Sequence, residues 1–114
     1  PGGSDPCGLA ISADGTKAFV CLSIANKLVV VALGSGTVTQ QINVGIAPWD
    51  VVLSPDGNTA YVSDWGGRFP TGGDLTAPSA GTQVVIDSRG VANNGAVSVV
   101  NLLTGLETTK ITAG

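Results

Sequence analysis

Apolar residues gather along this chain in short runs, and no window shows the three-to-four residue spacing of a helix. The runs are rich in Val, Ile, Leu and Thr, and Gly, Asp, Asn, Ser and Pro close them, which is the pattern of short strands separated by turns. Strands are expected near residues 8–12, 17–23, 27–33 and 38–44, and again near 50–54, 59–64, 96–102 and 108–112. Asp14-Gly15 and Asp56-Gly57 give the first turn of each set a side-chain acceptor and a residue tolerant of positive φ. "GSG" at 34–36 and Thr104-Gly105 do the same for the last turn.

The two sets of four strands are copies of one another. "PCGLAISADGTKAFV" (Pro6–Val20) returns 42 residues later as "PWDVVLSPDGNTAYV" (Pro48–Val62), and "LVVVALGSGTVTQQINVG" (Leu28–Gly45) returns at an offset of 69 as "VSVVNLLTGLETTKITAG" (Val97–Gly114). The second copy therefore holds 27 extra residues, at about 66–92. A period of about 40 residues made of four short strands is the signature of propeller blades. The expected fold is all-β: two four-stranded antiparallel β-propeller blades, residues 1–45 and 46–114, the second with a rim insertion. Gly114 stands where Gly45 stands before the "IAP" that opens the second copy. The chain thus reads as a fragment of a larger propeller or as a unit that completes itself by assembly. Two blades bury each sheet on one neighbour only, so the expected partner is protein. It is either the adjoining blades of a parent chain or identical copies, in a ring of three or four or in a filament.

The pattern G-x-x-P, a small apolar strand, S-x-D-G, A-[FY]-V and a closing L-x-x-G resembles the YVTN-type β-propeller repeat, and "AYVSDWGG" (Ala60–Gly67) matches the strand that names it. The insertion is similar to one in bacterial propeller proteins that carry a phosphoesterase domain downstream. The resemblance implies an interaction or scaffolding module of an exported protein, periplasmic or extracellular. Two alternatives accompany it: the propeller part of a phosphoesterase whose catalytic domain is absent here, and a self-assembling extracellular fibre or surface-layer protein.

Composition narrows the chemistry. The chain has no His and two Cys, which leaves no Ser-His-Asp triad, no His-ligated metal and no thiolate cluster. The segment reads as non-catalytic, with no cofactor. With a net charge of −3 and its five cations scattered singly, it has no basic face for nucleic acid. Its longest apolar run, 28–33, is far short of the ~20 residues of a membrane helix. Cys7 and Cys21 have no counterparts in the second copy, where Trp49 and Ser63 stand, and they are either a cross-strand disulfide or free thiols. The candidate ligand or partner rim comprises Trp49, Asp50, Asp64, Trp65, Arg68, Phe69, Asp74 and Asp87, from strand ends and the insertion. Asp50, Asp64 and Asp74 would gather a hard cation there only if they converged; no metal is assigned. Trp49 and Trp65, if both exposed, would form a stacking site for a sugar or planar ligand.

Overall fold

The computed structural model describes residues 4–113, and every regular element among them is a strand. The first sheet contains β1 (Pro6–Ile11), β2 (Lys17–Leu22), β3 (Lys27–Ala32) and β4 (Thr37–Asn43), paired in chain order. The second contains β5 (Ile46–Leu53), β6 (Thr59–Gly67), β9 (Ala96–Asn101) and β10 (Leu106–Thr112) in the same order. Between β6 and β9 a hairpin of β7 (Thr76–Ser79) and β8 (Thr82–Val85) forms a third, two-stranded sheet. All pairings are antiparallel. The fold is thus all-β, with two blade-like four-stranded sheets. No helix among the described residues is long and apolar enough to cross a membrane.

The repeat is visible down to single hydrogen bonds. Asp14 Oδ1 accepts from Ser12 Oγ (2.7 Å) and Thr16 N (3.0 Å), while Ser12 Oγ accepts from Lys17 N (3.0 Å). Asp56 Oδ1 accepts from Ser54 Oγ (2.5 Å) and Asn58 N (3.0 Å), while Ser54 Oγ accepts from Thr59 N (3.0 Å). Gly15 and Gly57 both take the left-handed conformation, at φ 72° and 73°, which costs glycine nothing and other residues about 1–2 kcal/mol. Both aspartates act as turn acceptors, and these bonds hold their carboxyls below the ordinary range, Asp14 at about 2.

The two sheets pack face to face. Alternation along each strand sends Phe19, Cys21, Leu28, Val30 and Ile42 from the first sheet against Val51, Ala60, Val62 and Val100 from the second, so one continuous core lies between them. Gly45, in the link between β4 and β5, lies so close to Asp64 that a Cβ there would collide with the carboxyl.

Four strands extend two or more residues beyond the expected ranges, β10 among them, since it begins at Leu106. β1 begins at Pro6 and β5 at Ile46; Pro48 is tolerated because β5 is an edge strand of its sheet. β6 continues to Gly67, which carries Trp65 into the sheet rather than the following loop. Within the insertion, β8 pairs with β7 as an antiparallel hairpin. Cys7 and Cys21 are free thiols. A bulge between Pro6 and Leu9 interrupts the ladder at Cys7, and burial pushes the Cys21 thiol up to about 12, which leaves it protonated and unreactive at neutral pH.

Candidate functional site

The eight rim residues do not share one environment. Alternation puts Pro48 and Asp64 inside and their successors Trp49 and Trp65 outside, the two indoles being 61% and 63% exposed. Both line one groove of about 540 Å³, together with Ser23 from the β2–β3 turn, Ala47, and Ser79 and Ala80 from the hairpin tip. No charged side chain lines it.

The walls of this groove are built under strain. Ala47 and Ala80 both hold left-handed backbone conformations, at φ 54° and 47°, which non-glycine residues adopt at a cost. Asn26, itself at φ 57°, supplies the restraint. Its Oδ1 accepts from Ala47 N (2.9 Å) and its Nδ2 donates to Thr82 Oγ1 (3.0 Å). One side chain in a turn of the first sheet thereby fixes the start of β5 and the tip-side end of the hairpin. The Ser23 and Ser79 hydroxyls make no hydrogen bond among the described residues, so both remain free to meet a ligand.

Arg68 and Asp74 brace the loop that leaves β6. The guanidinium reaches both carboxylate oxygens (2.7 and 3.0 Å), and Thr71 N donates to the same carboxylate (2.7 Å). This fork holds the Asp74 carboxyl well below the usual range. Asp87 closes the next turn, accepting from Arg89 N (2.9 Å) and Val91 N (3.0 Å). Phe69 is exposed, outside the groove lining, and Asp50, an exposed residue of edge strand β5, has its carboxylate close against Gly8 of β1, where it accepts from Val51 N (2.8 Å).

Asp64 is buried between the sheets. Its Oδ2 lies 2.5 Å from Ser98 Oγ, which also contacts Glu107 Oε1, and Lys110 Nζ is 3.2 Å from that same oxygen. A hydroxyl has one proton to give, so two carboxylate oxygens cannot both be its acceptors. The arrangement closes if Asp64 keeps its proton and donates to Ser98, which donates to a Glu107 carboxylate neutralised by Lys110. Desolvation raises the Asp64 carboxyl to about 6, in the same sense. Asp50, Asp64 and Asp74 do not converge, and no group of three His, Cys, Asp or Glu among the described residues can hold a metal ion.

The two tryptophans are thus the pair that sequence reasoning named and the fold unites. Ser23, Asn26, Ala47, Ser79 and Ala80 escaped it. The Asn26–Thr82 bond spans 56 residues, and no local pattern announces such a contact.

No protein-family model matches this chain, and no curated protein matches it. Among solved structures it is similar to Kuenenia stuttgartiensis hydrazine synthase, at 20% identity and a TM-score of 0.49. That match covers 95% of this chain and 37% of the other.

Proposed function

We propose that this chain is a non-catalytic binding module built of two β-propeller blades of the YVTN type, and that it holds a neutral carbohydrate in the Trp49–Trp65 groove. The observation that carries the reading is the pair of exposed indoles lining one uncharged cavity with two unengaged hydroxyls. Indole faces stack on the C–H faces of sugar rings, and Ser23 and Ser79 can exchange hydrogen bonds with ring hydroxyls. The absence of charge in the lining disfavours phosphates and ionic peptides. Strain held at Ala47 and Ala80 fits a preformed site, since strained backbone gathers where a ligand is clamped. The duplicated S-x-D-G turn and the duplicated strand order support the blade reading. The resemblance to exported propeller repeats adds a periplasmic or extracellular location.

The test is calorimetric titration of the intact chain with cellohexaose and chitohexaose, beside a proline-rich decapeptide. One sugar is expected to bind. Each stacking contact is worth about 1 kcal/mol, so Trp49→Ala and Trp65→Ala should each weaken binding by about five- to tenfold. Binding that survives both substitutions refutes the site, and peptide binding in place of sugar would refute the carbohydrate class and give the groove to a protein partner.

A further inference from the structure

The two outer sheet faces are complementary to each other, because each repeats a face that is already docked inside the molecule. Val51, Leu53, Ala60 and Val62 turn toward the first sheet; the residues 42 positions earlier are Leu9, Ile11, Ala18 and Val20. The register puts these four on one side of the first sheet, Leu9 opposite Val20 and Ile11 opposite Ala18, with Val31 and Val38 continuing the second row. That side faces away from the second sheet. Leu9, Ile11 and Val38 stand roughly half exposed on it.

The other face obeys the same rule. Phe19, Leu28, Val30 and Ile42 of the first sheet form the docked side, and their equivalents are Tyr61, Val97, Val99 and Ile111. Tyr61 pairs with Val99, and Val97 with Ile111, on the outer side of the second sheet, where Val52 joins Tyr61. The molecule therefore carries a free donor face and a free acceptor face of the one interface it already uses.

The free acceptor face is the more apolar of its kind. The docked acceptor on the second sheet spends four positions on Asp64, Ser98, Glu107 and Lys110, a polar group that must be satisfied among itself. The equivalents on the first sheet are Leu22, Val29, Val38 and Gln41, so three of the four are hydrocarbon and carry no burial penalty for charge.

We infer that the occupant of each outer face is a second copy of this chain, docked head to tail so that Tyr61 and Val52 of one copy meet Leu9 and Ile11 of the next. The contact is heterologous: the two surfaces that meet are different, so it propagates into a closed ring or a filament and does not stop at a symmetric dimer. It uses none of the groove-lining residues, so its failure and the failure of the carbohydrate reading are separable.

Two single variants test it, each confined to one outer face and checked for a native circular dichroism spectrum. Leu9→Glu blocks the first sheet's face and Val52→Glu the second's. Light scattering coupled to size exclusion should give masses above one chain for the unmodified protein, single-chain mass for each variant alone, and a one-to-one heterodimer when the two variants are mixed, since one good face remains on each. A monomeric unmodified chain overturns the inference. A variant that still self-associates overturns it too, because that requires like faces to meet. Should Leu9→Glu fail to fold, Ile11→Lys takes its place in the mixing experiment with the same outcomes.

Discussion

Replacing Asp64 by Asn should make the protein more stable at neutral pH, although it removes a buried hydrogen-bonded residue. Asp64 is 1% exposed, its Oδ1 has no partner, and its carboxyl is raised from 3.8 to about 6. Desolvation is the first cause; Ser98 and Lys110 pull the other way, and Glu107 adds repulsion. The sign follows from which state holds the proton. Below pH 3.8 the carboxyl is protonated folded and unfolded, and nothing is lost. Between about pH 4 and 6 the unfolded chain ionises while the folded one keeps its proton, so stability falls as pH rises, and above that range the loss is constant. A rise of about two pH units, at about 1.4 kcal/mol each, sets the penalty on the order of 3 kcal/mol. Asp64→Asn keeps the shape and, through its Nδ2–H, a donor to Ser98, but carries no charge. Its expected gain at pH 7 is on the order of 1–3 kcal/mol, or roughly 4 °C in Tm for each kcal/mol. Thermal unfolding of both proteins from pH 4 to 8 is the assay. The two curves should coincide near pH 4 and diverge upward to pH 7. Parallel curves across that interval, or a variant less stable at pH 7, would show that Asp64 is ionised and well paired in the folded state.

Leu28→Ala removes a fully buried side chain from the core between the sheets and should cost about 2–5 kcal/mol in urea unfolding, with both sheets lost in one transition. Gly57→Ala places a Cβ in open space at φ 73°, so its cost of about 1–2 kcal/mol is conformational alone and should appear in the denaturation midpoint without a change in slope. Asn26→Ala frees Ala47 and the β7–β8 hairpin together; hydrogen exchange should quicken at both Ala47 and Thr82, whereas a change at one only would mean that Asn26 does not couple them.

The repeat gave away most of the fold because its turns are chemically explicit: Ser, Asp and Gly at fixed offsets dictate one hairpin twice, and alternation then fixes which face each strand buries. Strand limits were less legible. Pro48 reads as a breaker unless β5 is known to lie at an edge, and edge position is a property of the sheet, not of the segment. For the site, Trp49 and Trp65 stood out as the only tryptophans at strand ends. Arg68, Asp74 and Asp87 carried the same apparent promise, yet their charges are consumed in holding loops, and Asp64 went inward by the same two-residue alternation that sent Trp65 outward. The groove's frame rests on Asn26, whose side chain spans the two copies of the repeat and the insertion, so it follows from the packed structure rather than from any local pattern.

The claim that the two tryptophans form one binding groove is open to direct measurement by nuclear magnetic resonance. The chain has two Trp residues, so an amide spectrum carries two indole Nε1–H signals and reports the site without further labelling. On titration with chitohexaose and cellohexaose, one of the sugars should shift both indoles along a single saturation curve, accompanied by the backbone amides of Ser23, Ala47 and Ala80. Indoles that stay unmoved with both sugars, or that shift with different midpoints, would contradict the account.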